Sequence, residues 1–193
     1  AGHELIMLSR LAVRKFPILF TVHGYAGKSS NIDYFLSAKI CRKWADAVIA
    51  VSKSEKMRLV KKGLQPEKIH LVYNGTPPIQ PVPTEVLRKR LGLPQDSIVI
   101  GTIGRLEEPK GFQYLLQAYA ILLHKHRNSR IVIIGSGGFT TQLATLAKEL
   151  GIAEHVVFPG YIQDARNYTP CFDIFVLPSL AEALPLALVE AMS

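Results

Sequence analysis

The 193-residue chain reads as an α/β protein made of two Rossmann-like, doubly wound parallel-sheet domains, both incomplete. Three observations predict this class. Short continuous apolar runs alternate with longer stretches of helical apolar spacing, the pattern of strands buried on both faces and joined by crossover helices. Most of these runs end in a glycine-bearing loop, at the strand edge where open α/β sheets collect ligands. Between the two series, Pro77, Pro78, Pro81 and Pro83 crowd a segment that also holds Gly92 and Pro94, as a domain boundary does. The expected partition is residues 1–76, a linker over 77–96, and residues 97–193.

Taken in order, Leu5, Leu8, Leu11 and Ala12 suggest a helix over 4–14. Ile18–Val22 is the first strand and leads into His23-Gly24-Tyr25-Ala26-Gly27. A helix follows over 32–44, then a strand over 46–51. Ser52-Lys53-Ser54-Glu55 fits a capping box opening a helix that Gly63 stops near Lys62. Ile69–Tyr73 is a third strand, and a short basic helix spans 85–90. The second series has strands at 98–103, 131–134, 156–158 and 173–177. Its helices follow Gly111 (stripe Phe112, Leu115, Leu116, Tyr119, Leu122, Leu123) and Gly138 (stripe Leu143, Leu146, Ala147, Leu150). A short helix is expected near 163–169 and a last one from Pro185, a residue favoured at a first helical position.

Composition narrows the classes. Hydrophobic residues make up 48%, which supports a packed core and excludes disorder. Cys41 and Cys171 match no metal or redox spacing, which points to a reducing compartment. No apolar run approaches the ~20 residues of a membrane span, and Glu4, Arg10 and Arg14 interrupt any signal-peptide pattern. The net charge of +8 is one-sided: residues 1–75 hold 13 Lys+Arg against 5 Asp+Glu, while residues 76–193 hold 10 of each. Such a face attracts anions, an anionic membrane surface among them. No nucleic-acid motif accompanies the charge, so nucleic acid is not an expected partner. The chain lacks an initiator Met and stops inside a helical pattern, so an internal fragment, inactive alone, is the expectation.

The richest stretch is Leu177–Ser193, LPSLAEALPLALVEAMS. Glu182 lies in the turn after the last strand and Glu190 on the helix that follows. A helix N-terminus favours anions and carboxylates accept from hydroxyls, so the stretch suits a ligand carrying both phosphates and hydroxyls. Arg105 and Lys110 flank one strand-to-helix loop between Gly104 and Gly111, offering two cations and close backbone approach to a diphosphate. Gly135-Ser136-Gly137 is another tight turn, but Thr140 replaces the third glycine of a dinucleotide fingerprint and no acid ends the next strand.

The pattern PS-x3-E-x2-P-L-x3-E-A-M at 178–192 resembles the Glu-x7-Glu motif of the retaining, sugar-nucleotide-dependent glycosyltransferases of family four (glycosyl transferases group 1). In that family Glu-Gly usually opens the motif; here it reads Glu182-Ala183-Leu184-Pro185. Gly104-Arg105-Leu106-x3-Lys110-Gly111 resembles the family's donor-phosphate motif, and Thr21-Val22-His23 its T-x-H motif. The resemblance runs from about Thr21 to Met192 and implies the GT-B fold, with residues 1–76 on the acceptor side and 97–193 binding the donor. It also implies retention of configuration, a UDP- or GDP-linked sugar donor, a glycan or lipid-linked acceptor in polysaccharide or glycolipid synthesis, and no cofactor or metal. By the same resemblance Glu182, His23, Arg105 and Lys110 are catalytic. Gly104, Arg105, Lys110, Gly135, Gly137, Tyr161, Glu182, Leu186 and Glu190 hold the donor: Glu182 its sugar hydroxyls, Glu190 its ribose, Leu186 its phosphates through the helix start, and Tyr161 its base. The place expected for such an enzyme is the cytoplasm, including the cytoplasmic face of a membrane. Two rivals stand beside it. A glycoside hydrolase would use Glu182 and Glu190 about one bond and leave Arg105 and Lys110 idle. A non-catalytic anion- or membrane-surface module would use only the basic half.

Overall fold

A computed structural model of the chain describes residues 16–24, 30–79 and 82–193. The helix expected over 4–14, the loop residues Tyr25, Ala26 and Gly27, and Pro81 of the linker lie outside these. The chain forms two compact units: residues 1–75 with 182–185, and residues 76–181 with 186–193.

The first unit carries strands β1 (Leu19–Val22), β2 (Ala47–Ala50) and β3 (Ile69–Leu71) and helices α1 (Ser30–Trp44) and α2 (Lys53–Lys61). The strands pair in parallel in the order β1-β2-β3, with Leu19 opposite Ala47 and Val48 opposite Ile69. Parallel neighbours need a crossover, and α1 and α2 supply it. Their inner faces close a core of Val22, Tyr34, Ala38, Cys41, Val48, Ala50, Leu59, Leu64 and Ile69. At the start of α2, the Ser52 hydroxyl accepts from the Glu55 N–H at 3.2 Å, which is half of the expected capping box. The other half differs: the Glu55 carboxylate turns inward to Tyr34 and Arg58.

The second unit carries α3 (Thr84–Arg90), β4 (Ile98–Ile103), α4 (Phe112–Leu123), β5 (Ser129–Ile134), α5 (Thr140–Glu149), β6 (Val156–Gly160), β7 (Ile174–Phe175) and α6 (Leu186–Ala191). Its four strands are parallel in the order β6-β5-β4-β7. Successive strand residues point to opposite faces, and both faces are covered. Ile100, Ile131 and Ile133 pack under α4 and α5 with Phe112, Leu115, Leu116, Tyr119 and Leu143. Val99, Val132 and Ile134 pack on the other face under Leu87 of α3, Leu91 just past its end and Cys171 of a 3₁₀ segment, Ala165–Cys171. Each such fully buried aliphatic or aromatic side chain contributes about 1.5–3 kcal/mol. The buried Tyr119 hydroxyl is satisfied by the Ser129 carbonyl at 2.9 Å.

Three expectations are corrected in detail. The last strand has two residues in place of five, Ile174 and Phe175. On the helix stripe Leu122 is exposed, while Leu123 still packs against the core, partly buried. Three short 3₁₀ turns, Pro66–Lys68, Glu108–Lys110 and Ala153–His155, have no counterpart in the periodicity.

Candidate functional site

The second unit brings the carboxyl ends of β4, β5 and β6 together through main-chain bonds. Gly104 N–H donates to the Ile134 carbonyl at 3.0 Å, and Gly135 N–H to the Gly160 carbonyl at 2.9 Å. Leu106 N–H donates to the Ser136 carbonyl at 3.0 Å and Phe139 N–H to the Leu106 carbonyl at 2.9 Å. The loops are stacked so closely that a Cβ on Gly135 (φ +147°) would stand 1.9 Å from the Gly104 oxygen, and one on Gly137 2.3 Å from the Leu106 oxygen. No side chain fits either position.

These loops line a cavity of about 240 Å³ bounded by Ile103, Gly104, Arg105, Ile134, Gly135, Ser136, Tyr161, Ile162 and Ala165. Its walls are apolar side chains and bare glycine backbone, which suits a flat ring held by stacking and main-chain polar groups. Tyr161 is 76% exposed at its mouth. Arg105 is also exposed and pairs with Glu107 at 3.0 Å. An exposed pair of this kind is worth under about 1 kcal/mol, so the guanidinium is easily surrendered to a stronger anion.

Lys110 ends the 3₁₀ turn Glu108–Lys110, just before Gly111 in the left-handed region at φ +70°. A Cβ on Gly111 would meet the Pro178 oxygen at 2.1 Å, and Leu180 N–H donates to the Pro109 carbonyl at 3.0 Å. The loop after β4 is thereby tied to the loop after β7, which fixes the backbone from which Lys110 projects.

Glu190 sits on α6, which packs on the 3₁₀ segment Ala165–Cys171. Burial pushes its carboxyl above the ordinary range, and the positive charge of Arg166 partly opposes that. Leu186, the first residue of α6, is half-exposed. Glu182 and His23 fall in the first unit, where His23 is exposed at the end of β1.

Of the residues singled out in the sequence, Gly104, Arg105, Gly135 and Tyr161 line one cavity and Gly137 buttresses it. Ser136, Ile162 and Ala165 share that wall without carrying any motif signal. Arg166 beside Glu190 had none either. Among the described residues no group of three His, Cys, Asp or Glu side chains could hold a metal ion. Both cysteines are free and buried, and burial raises each thiol to about 11.

Two parallel α/β units, one with a glycine-walled cleft at the carboxyl edge of its sheet, define a Rossmann-like α/β architecture. The chain belongs to the glycosyl transferases group 1 family, whose model matches residues 83–193, and the Glycosyltransferase Family 4 model matches residues 2–78. It is 27% identical to the putative glycosyltransferase EpsD of Bacillus subtilis (strain 168), over 97% of this chain and 53% of that protein. It is 28% identical to the UDP-Gal:alpha-D-GlcNAc-diphosphoundecaprenol alpha-1,3-galactosyltransferase of Escherichia coli, over 97% of this chain and 52% of that protein. Anabaena HepE, solved in complex with UDP and glucose, superposes with a TM-score of 0.86 at 22% identity, covering 98% of this chain and 54% of its own. The GT-B fold expected from the motifs is the fold of such neighbours. The chain spans about half the length of the curated relatives it matches.

Proposed function

We propose that the protein to which this chain contributes is a retaining glycosyltransferase that moves a sugar from a UDP- or GDP-linked donor to a glycan or lipid-linked acceptor, without a metal or other cofactor. The observation that carries this reading is the cavity ringed by Gly104, Arg105, Gly135 and Tyr161. Its size and bare backbone suit a nucleobase, and cationic Arg105 stands at its rim. The names of relatives and neighbours point the same way: a galactosyltransferase using UDP-Gal on a diphosphoundecaprenol-linked sugar, WaaG of lipopolysaccharide biosynthesis, and HepE solved with UDP and glucose.

In this reading the base enters between Tyr161 and the Gly135–Gly137 turn. Glu190 accepts from the ribose hydroxyls. Arg105 exchanges Glu107 for the diphosphate, joined by Lys110 and the N–H at Leu186, and these groups stabilise the charge that grows on the leaving diphosphate. Fixed donors of this type are worth roughly 3–4 kcal/mol each. Glu182 orients the transferred sugar through its hydroxyls, and His23 serves the acceptor side.

The test is a binding titration of the complete protein with uridine, guanosine and adenosine diphosphates and their sugars. Selective binding of one nucleotide, lost in Glu190→Ala, is expected. Lys110→Ala should then lower kcat on the order of 10²-fold. An absence of nucleotide binding by the complete protein would overturn the reading.

A further inference from the structure

Glu55 is fully buried in the first unit, on the first turn of α2. Glutamate almost never occupies such a place unless it is paired. Its Oε2 accepts a hydrogen bond from the hydroxyl of Tyr34 on α1, itself 3% exposed. Its Oε1 accepts from Arg58 Nη1 at 3.4 Å. The same guanidinium donates to the Tyr34 oxygen at 3.4 Å and lies over the Tyr34 ring at 5.6 Å from its centroid. The Glu55 N–H is held by Ser52 Oγ. Both ends of the residue are therefore anchored, and the side chain has one place to be.

That place is under the end of β1. Gly24 turns the chain there with φ +95°, between Ala183, whose Cβ would stand 2.5 Å from a Cβ placed on the glycine, and the Glu55 carboxyl carbon, 3.7 Å from the same point. The residue before it is His23. Stability alone does not explain a carboxylate here, because well-packed apolar side chains commonly replace a buried ion pair without loss. A hydrogen-bonded carboxylate does what an apolar side chain cannot: it is fixed in direction by its partners, and here it forms one wall of the space at the Gly24 turn.

We propose that Glu55, clamped by Tyr34 and Arg58, is a positioning residue that fixes the turn at Gly24 and through it the His23 side chain for transfer. This rests on the glycosyltransferase reading and its use of His23. Glu55 itself touches no substrate, being sealed from solvent.

The experiment is a double-mutant cycle in the complete protein, reading release of free nucleotide from the nucleotide sugar selected in the titration above. Glu55→Gln should lower kcat roughly tenfold through misplacement of His23, with donor KM held within about twofold. In a His23→Ala background, Glu55→Gln should have no further effect, since it acts through the residue already removed. Tyr34→Phe, which keeps the carboxylate and the packing, should move kcat in the same direction by less, and it stands in should Glu55→Gln fail to fold. A fall in Tm with kcat unchanged below the transition would overturn the proposal, as would effects that multiply with His23→Ala. If His23→Ala alone leaves turnover intact, the role given to His23 fails and the inference with it. If His23→Ala is impaired while Glu55→Gln is not, only the inference fails.

Discussion

At Gly135 a single hydrogen keeps two loops in register. Its φ of +147° is a conformation side chains rarely adopt, and the space a methyl would need is filled by the Gly104 oxygen. Gly135→Ala must therefore push the loop after β4 away from the loop after β5 and open the cavity wall. The expected outcome is a cost of about 1–3 kcal/mol in stability, as for other overpacked sites, with nucleotide affinity lost by at least tenfold on the order of one hydrogen bond. Chemical denaturation and the nucleotide titration check the two halves separately. Glu190 offers a pH signature. Burial raises its carboxyl, so the group picks up its proton at a higher pH than the ~4.3 of a free glutamate. Only the ionised form accepts from both ribose hydroxyls. Nucleotide affinity should fall as pH drops, beginning above the ordinary glutamate range. In Arg166→Met, which removes the opposing charge, the fall should begin at a higher pH still. An affinity that stays constant as the pH falls into the carboxylate range would remove Glu190 from the ribose site.

At the scale of elements, Arg88 of α3 is the staple of the second unit. It is 7% exposed and donates to the carbonyls of Gln95 and Ser97 at 2.7 and 3.0 Å and to Asp173 Oδ2 at 2.8 Å. The same Asp173 oxygen accepts from the Val99 N–H at 2.7 Å. One side chain thus ties α3 to the start of β4 and to the entry of β7. Arg88→Met leaves those acceptors without their donor and should cost about 1.5–3 kcal/mol, the range for hydrogen bonds to charged groups. Urea denaturation of the complete protein would show it as a lower midpoint. The network also explains what could and could not be read in the sequence. Helices such as Phe112–Leu123 announced themselves through apolar spacing, and β4 through six apolar or small residues in a row. The run Asp173–Leu177 looked like one more strand, yet Asp173 spends its side chain on Val99 and Arg88, and pairing with β4 covers only Ile174 and Phe175. The turn Glu108–Lys110 closes through its own backbone, with Pro109 inside it and left-handed Gly111 at its end, but its tie to Pro178 and Leu180, distant in sequence, leaves no trace in the local pattern. Ile162 and Ala165 reach the cavity only because the sheet order is β6-β5-β4-β7, and strand periodicity does not encode order.

On the scale of the whole molecule, one helix of the basic part joins exposed charge to exposed apolar side chains. The net +8 resides in residues 1–75. In that unit α1 exposes Ile32, Phe35 and Leu36 at 63, 51 and 41%, and Lys39, Arg42 and Lys43 are exposed on the same helix. Among the described residues no helix is long and apolar enough to cross a membrane. An apolar strip flanked by cations would suit a helix that rests on an anionic bilayer, its apolar side chains in the headgroup boundary and its lysines among the phosphates. An acceptor built on a lipid would be met there. The complete protein should therefore co-sediment with vesicles containing anionic lipid and not with vesicles of neutral lipid alone. Each Lys or Arg near the surface contributes about 1 kcal/mol, so replacing Lys39, Arg42 and Lys43 by Ala should weaken binding on the order of 100-fold, given about 1.4 kcal/mol per decade. Raising the salt to about 1 M, where the screening length is near 3 Å, should release the wild-type protein. Phe35→Ser should weaken binding at each salt concentration at which the wild-type protein still binds, because its contribution is burial of apolar area and not charge. Equal binding to neutral and anionic vesicles would show that the basic surface of α1 serves something other than a membrane.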